Sequence, residues 1–246
     1  NSNQIYYNNP PNNIGYGYGW RLNLNQIIEN RVIGTIQYYI YTDGDGTKHY
    51  FKENPENSGV YKDESGLDLT MTKTSDGSTF TIKDKKDNKL NFVALDATKT
   101  RYLKTMVDSN GNAITLEYEG LKIRTVKDGA NRPYTLNYNA NGYLSSIVDR
   151  DGKVIASYGY NGDRLETITY PDQKSSSYTY TASGNMTSAT NIDNYRGEFI
   201  YHGGPYRVKQ ILEKNTDGTL GQELNFAYGN NSTAITDAIG RKNTYQ

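Results

Sequence analysis

Between Leu103 and Ile211 the chain places an apolar pair three residues apart, and does so six times: Leu103/Met106, Ile123/Val126, Leu144/Ile147, Leu165/Ile168, Met186/Ala189 and Val208/Ile211. Successive pairs begin about 21 residues apart, and a fixed period of this length means one small unit stacked repeatedly. Tyr118, Tyr138, Tyr160, Tyr180 and Tyr201 hold the same register. A second aromatic or apolar residue stands two positions before each of these tyrosines, as in Tyr158/Tyr160, Tyr178/Tyr180 and Phe199/Tyr201. Residues two apart share a face of a strand, so each unit reads as a strand ending on tyrosine, a turn, and a return strand carrying the apolar pair. Three-residue spacing breaks strict alternation, which predicts a bulge in the return strand.

The remaining pattern is also that of strands. Tyr38–Tyr41 and Lys48–Phe51 flank an Asp-Gly turn as a hairpin, and Phe80/Ile82 and Leu90/Phe92 flank the charged tip Lys83–Lys89 as another. Leu67, Leu69 and Met71 alternate with polar residues as a further strand, and Trp20–Leu24 alternates likewise. No apolar spacing of the helical kind is sustained, and turn dipeptides such as Asn110-Gly111, Asp128-Gly129 and Asn161-Gly162 interrupt every run. These dipeptides predict type I′ hairpin turns. More than about 40% strand and almost no helix are expected on this density of turns. The predicted organisation is an entry segment over residues 1–98 and regular repeats over 99–246, continuing one sheet. With strands about 4.8 Å apart, a sheet of this many hairpins is too wide to stay flat and open, and curls or closes. The fold class is therefore all-β: consecutive antiparallel hairpins forming a curved, spiralling single-layer sheet.

Composition narrows the function classes. Twenty-seven basic residues balance 27 acidic ones, which leaves no basic stripe for a phosphate backbone, so nucleic acid is not an expected partner. No apolar stretch is long enough for a membrane-spanning helix, and membrane insertion is not expected. With no cysteine there is neither a disulfide framework nor thiolate chemistry. The aromatic share is spent on tyrosine, 24 against 5 Phe and 1 Trp, which suits thin sheets with one wet side better than a thick apolar core. The first residues, Asn1 onward, and the last, Asp237–Gln246, read as pieces of a longer array, with sheet edges through which the chain could self-associate.

The repeat resembles the YD-repeat, or Rhs-repeat, family. Its unit of Tyr-Asp, Gly, Arg-Leu and Ile/Val is matched by Tyr138-Asn-Ala-Asn-Gly-Tyr-Leu-Ser-Ser-Ile147, Tyr160-Asn-Gly-Asp-Arg-Leu-Glu-Thr-Ile168 and Tyr180-Thr-Ala-Ser-Gly-Asn-Met-Thr-Ser-Ala189. The acid after the tyrosine is replaced here by Asn139, Asn161, Thr181 and His202, and Arg164 alone keeps the arginine before the leucine. Ile14-Gly-Tyr-Gly-Tyr-Gly-Trp-Arg-Leu22 is similar to the family's Gly-x-Gly-Trp entry motif, and Tyr41–Phe51 to its Asp-Gly-rich hairpin. The resemblance implies a β shell of the kind built by bacterial polymorphic toxins, the cocoon subunits of insecticidal toxin complexes, wall-associated proteins of Gram-positive bacteria and teneurins. It implies a secreted or cell wall-associated bacterial protein that encloses and delivers a C-terminal effector domain of the same polypeptide.

No residue constellation points to catalysis, and an enzyme is not expected. Gly15–Gly19 lacks the helix that a nucleotide-binding glycine loop would open. Asp43 and Asp45 alternate as in a calcium loop but lack the remaining ligands, and His49 and His202 have no metal-ligand spacing, so neither a metal nor a cofactor is expected. No carboxylate pair is marked out for glycosidase work. The alternative function is a carbohydrate- or receptor-binding module of an adhesive surface protein, with Tyr158, Tyr160, Tyr178 and Tyr180 stacking on sugar rings. A cross-strand ladder that stabilises the sheet is the competing role for those tyrosines.

Overall fold

The computed structural model describes residues 14–64, 66–203 and 207–246; the expected N-terminal sheet edge over residues 1–10 lies outside them. Strands take up over half of the chain, and no helix occurs among the described residues. After Lys153 the chain divides into two compact units. The repeat register, in contrast, begins earlier, with the strand that carries Leu103.

In the first unit the strands are β1 (Ile27–Ile33), β2 (Ile36–Thr42), β3 (Lys48–Asn54), β4 (Asn57–Asp63), β5 (Thr70–Lys73), β6 (Thr79–Lys83), β7 (Lys89–Val93), β8 (Arg101–Val107), β9 (Ala113–Glu119), β10 (Lys122–Lys127), β11 (Pro133–Tyr138) and β12 (Leu144–Val148). Each pairs antiparallel with the next. In addition β1 pairs with β8, through Ile27 opposite Tyr102 and Ile28 opposite Arg101, and Leu103 N–H donates to the Gln26 carbonyl. Strands β1 to β8 therefore form a closed ring. Eight strands close around a space that side chains can fill. Ile28, Phe51, Met71, Ile82, Phe92 and Leu103 fill it, each at most 1% exposed. Tyr39 packs edge-on against Tyr61 and Phe80, with ring centroids 4.8 and 4.9 Å away. Arg101 donates to the Gly77 carbonyl from Nε and Nη2, at 3.1 and 3.0 Å, beside the Phe80 ring. Past the seam, the same edge of β8 carries β9, through Thr105 opposite Thr115, and the repeats grow from there.

The second unit holds β13 (Val154–Asn161), β14 (Arg164–Thr169), β15 (Ser175–Tyr180), β16 (Met186–Thr190), β17 (Arg196–Tyr201), β18 (Val208–Lys214), β19 (Leu220–Tyr228), β20 (Thr233–Asp237) and β21 (Lys242–Tyr245). These too pair in chain order. The class is the expected one of consecutive antiparallel hairpins in a single layer.

Two expected strands are shifted. Residues 20–26 run as an irregular segment with a turn, Asn25 N–H donating to the Leu22 carbonyl at 3.0 Å. Leu67 lies outside β5, half exposed, because Asp68 takes a positive φ of 56° and breaks the alternation. The turns also differ from the type I′ expectation. In the commonest form an Asp or Asn opens a five-residue turn, and one residue, the fourth, takes a positive φ. Asp108 is typical: its N–H donates to the Asn112 carbonyl, and its Oδ1 accepts from the N–H groups of Asn110 and Asn112 at 2.9 and 2.8 Å. In the turn that Asp128 opens, Asn131 and not Gly129 is left-handed, at φ 60°. Type I′ needs positive φ at two successive residues, and the side-chain acceptor removes that need by fixing the turn from its first residue.

Each repeat hairpin contains the predicted bulge. In the β9–β10 pair, Tyr118 faces Ile123, Leu116 faces Val126, and the register shifts at Arg124. The same shift recurs beside Tyr138/Leu144, Tyr160/Leu165, Tyr180/Met186 and Tyr201/Val208. Because the bulge spends one extra residue, apolar positions three apart on the return strand meet partners two apart on the other, and all four share one face. The first members of the pairs are the more deeply placed. Leu103, Ile123 and Leu144 are fully buried and Leu165 is 3% exposed, whereas Met186 and Val208 are half-buried. The second members are half-buried throughout.

The tyrosines join one hairpin to the next. Between hairpins the ladders are short: β10 and β11 pair only over Thr125–Lys127. Beyond that point the strands separate, and the carbonyl of the first apolar residue loses its ladder partner. Tyr118 donates its hydroxyl to the Leu103 carbonyl at 2.5 Å, Tyr138 to Ile123 at 2.8 Å, Tyr180 to Leu165 at 2.6 Å, Tyr201 to Met186 at 2.7 Å and Tyr228 to Val208 at 2.8 Å. The ring covers the gap and the hydroxyl satisfies the carbonyl.

Leu165→Ala should cost about 2–4 kcal/mol in urea unfolding, as a nearly buried leucine whose site collapses only partly. Tyr118→Phe leaves the Leu103 carbonyl unpaired and should cost about 1–3 kcal/mol, against less than about 0.5 kcal/mol for Tyr245→Phe at an exposed strand end. Equal effects from the two tyrosine variants would remove the hydroxyl from its assigned role.

Candidate functional site

The four tyrosines considered for sugar stacking lie on β13 and β15, on the face that carries Leu165. Tyr158 and Tyr160 stand opposite Ile168 and Leu165, and Tyr178 and Tyr180 opposite Ala189 and Met186. All four are half-buried. Burial raises the Tyr178 hydroxyl pKa above its ordinary value, and the Tyr180 hydroxyl is committed to Leu165. Tyr180 borders a depression of about 290 Å³, with Asn161, Asp163, Arg164 and Glu166. Arg164 there donates to the carbonyls of Thr181 and Ala182 at 2.7 and 2.9 Å.

Asp43 and Asp45, the calcium-like pair, serve their own turn. Asp43 Oδ1 accepts from the N–H groups of Asp45, Gly46 and Thr47, at 3.2, 3.1 and 2.9 Å, and its Oδ2 lies 2.7 Å from His49 Nε2. Asp45 Oδ1 accepts from Thr47 N–H at 2.9 Å. His49 is buried against Tyr41, ring centroids 5.6 Å apart. His202 lies in the second unit, 3.3 Å from the Phe226 carbonyl and edge-on to Tyr228. Among the described residues no group of three His, Cys, Asp or Glu side chains is placed to hold a metal ion.

A concavity of about 560 Å³ opens beside the β1–β8 seam of the first unit. The segment 14–26 forms one side of it, and the segment is held at both ends: Leu144 N–H donates to the Gly15 carbonyl at 2.7 Å, and Leu103 N–H to Gln26. A side chain at Gly15 would meet the Gly142 carbonyl at 3.0 Å, and its φ of 98° disfavours one in any case. Gly15 thus serves close backbone packing. Trp20, Tyr102 and Tyr118 give the cleft aromatic walls, and Arg21, Glu29 and Lys122 bring charge to it. Gln26 and Thr42 are its buried polar residues. Gln26 accepts from the Tyr41 hydroxyl at 2.7 Å and donates to the Asn23 carbonyl at 2.9 Å. Desolvation raises the Tyr41 and Tyr118 hydroxyl pKa values well above the usual range, which keeps both as donors. The cleft was missed in the sequence because its walls come from residues some eighty positions apart, and only Trp20, the single tryptophan, hinted at it.

No family model matches this chain, and no curated protein matches it. Solved structures do. A chain of the TcdB2-TccC3-TEV crystal structure is 13% identical, with a TM-score of 0.44, over 81% of this chain and 12% of that one. A chain of the TcdB2-TccC3-Cdc42 structure is 12% identical with a TM-score of 0.42, over 87% of this chain and 15% of that one. A chain of the Photorhabdus luminescens Tc holotoxin pore is 12% identical with a TM-score of 0.42, over 96% of this chain and 16% of that one. The present chain therefore spans a small part of the length of each.

The turn aspartates set the acid response. Hydrogen bonds from Asn112 to Asp108, from Arg132 to Asp128 and from Arg241 to Asp237 hold these carboxyls below the usual range, and bonds from Thr74 and Ser78 bring Asp76 to about 2. A depressed folded-state pKa contributes stability above the unfolded value, near 3.8, that disappears as pH falls through the folded value. Urea midpoints should therefore be level from neutral pH to about 5 and decline between about 4 and 2. Asp108→Asn with Asp128→Asn should flatten that decline; an unaltered slope would show that the turn carboxylates are not its source.

Proposed function

We propose that this chain is a length of β wall from a secreted or cell wall-associated bacterial protein of the YD-repeat kind, whose task is to enclose and deliver a C-terminal effector domain of the same polypeptide. It acts by confinement and carries no catalysis of its own. The observation that supports this reading best is the hydroxyl-to-carbonyl bond from Tyr118, Tyr138, Tyr180, Tyr201 and Tyr228, which repeats at one register and, within each unit, joins a hairpin to the one before. Such a joint lets hairpins be added indefinitely without redesigning a core, which is what a wall requires and a compact catalytic domain does not. The sequence resemblance points the same way.

The test uses the parent polypeptide. Its segment C-terminal to the repeats should resist protease while the wall is folded, and should become cleavable at the urea concentration that unfolds the wall. A downstream segment cleaved at the same rate before and after wall unfolding would refute enclosure.

A further inference from the structure

Two like charges face each other across the β17–β18 ladder. Arg196 and Lys214 are direct cross-strand partners, and Thr190 stands opposite Arg196 on its other side. Side chains so placed lie about 5 Å apart at Cβ, and like charges there destabilise a sheet. Arg196 is balanced in part: its Nη2 lies 2.6 Å from Glu198 Oε1, and the side chain is 51% exposed. Lys214 is not balanced. It is half-buried with its ammonium reachable from solvent, and among the described residues no carboxylate or carbonyl engages it. The acids of the two adjoining turns are committed elsewhere. Asp193 pairs with Lys174 at 3.5 Å, and Asp217 Oδ1 accepts from the Thr219 N–H and hydroxyl at 2.9 and 2.6 Å.

Both cations line one depression of about 440 Å³ in the second unit, together with Thr190, Asn194, Glu198 and Thr216. Residues two apart share a strand face, so Arg196, Glu198 and Lys214 lie on the side of the sheet away from Phe199 and Ile211. This lining sets the chemistry of a ligand. Two cations against one carboxylate leave a surplus of one positive charge, which suits a single carboxylate better than a phosphate dianion. The side chains of Thr190, Asn194 and Thr216 are neutral and offer both donors and acceptors, and among the described residues they make no hydrogen bond. Such groups suit hydroxyls. The volume lies within the range of about 300–1,000 Å³ typical of small-molecule sites.

We propose that this depression binds a hydroxyl-bearing monocarboxylate of single-sugar size, a uronic acid, with its carboxylate between Lys214 and Arg196 and its hydroxyls on Thr190, Asn194 and Thr216. The site is independent of the wall reading and lies on the face opposite the tyrosines of β13 and β15. Titrating glucuronate into the 246-residue chain should shift the amide NMR signals of Lys214, Asn215 and Thr216 in a saturable way. Glucose, which lacks the carboxylate, and acetate, which lacks the hydroxyls, should each bind about tenfold more weakly. Lys214→Gln should weaken glucuronate binding about tenfold without lowering the Tm, because it also relieves Arg196 of a like-charged neighbour. Lys214→Arg should bind within about twofold of the parent. Lys174→Gln, which removes a lysine already paired with Asp193, should bind as the parent does. The proposal is overturned by shifts that do not saturate up to about 20 mM glucuronate, by equal affinity for glucose or acetate, or by tighter binding of phosphate. It is equally overturned by a Lys214→Gln chain that binds unchanged, or by equal losses from Lys214→Gln and Lys174→Gln.

Discussion

A bulge forces a choice on a β-sheet. It allows two apolar side chains three residues apart to face the same way, and it withdraws a backbone carbonyl from the ladder. This chain repeats the choice in every hairpin from β7/β8 to β17/β18, and answers it with a tyrosine in the hairpins that follow. The phenol is long enough to span the gap where neighbouring hairpins part, apolar enough to cover it, and ends in the donor that the carbonyl lacks. Phenylalanine would serve only the first two needs. At these five positions the choice of tyrosine over phenylalanine is thus a consequence of backbone geometry.

The same geometry explains how a chain so poor in apolar residues holds together. Deep burial is concentrated in the ring, at Phe51, Phe92, Met71 and Leu103, and along the first positions of the repeats as far as Leu165. The polar face is held by side-chain bonds across strands, such as Thr81 to Asn91 and Asn91 to Thr105, each at 2.8 Å. Lys127 and Glu117 form an ion pair at 2.6 Å on β10 and β9, partly exposed and correspondingly modest in energy. Stabilisation is therefore distributed along the chain, and the turn aspartates hold each reversal separately.

Much of this was legible in the residues themselves. The period of the apolar pairs, the tyrosine two positions after another large residue, and the broken alternation of the return strand together specify hairpins with bulges, because each is a local consequence of side-chain direction. Leu67 and Trp20–Leu24 were misread since alternation alone cannot detect Asp68 in the left-handed region or an Asn25 side chain accepting from Leu22 N–H. The turn type was misread for a related reason: the dipeptide shows which residue tolerates positive φ, but the side-chain acceptor that opens the turn places it three residues further on. Ring closure and the seam cleft were not legible, because Ile27 and Tyr102 carry no sequence mark of being neighbours.

That closure has a kinetic side. Every other pairing in the first unit joins strands adjacent in the chain, whereas the β1–β8 seam brings together residues roughly 75 positions apart. Local hairpins close fast and long loops slowly, since their entropy is lost before any contact repays it. The hairpins thus form first and independently, and the ring shuts last, through two residue pairs and the Gln26 carbonyl. Segment 14–26 reaches its final place only once that seam exists, so the cleft is the last surface of this unit to be assembled.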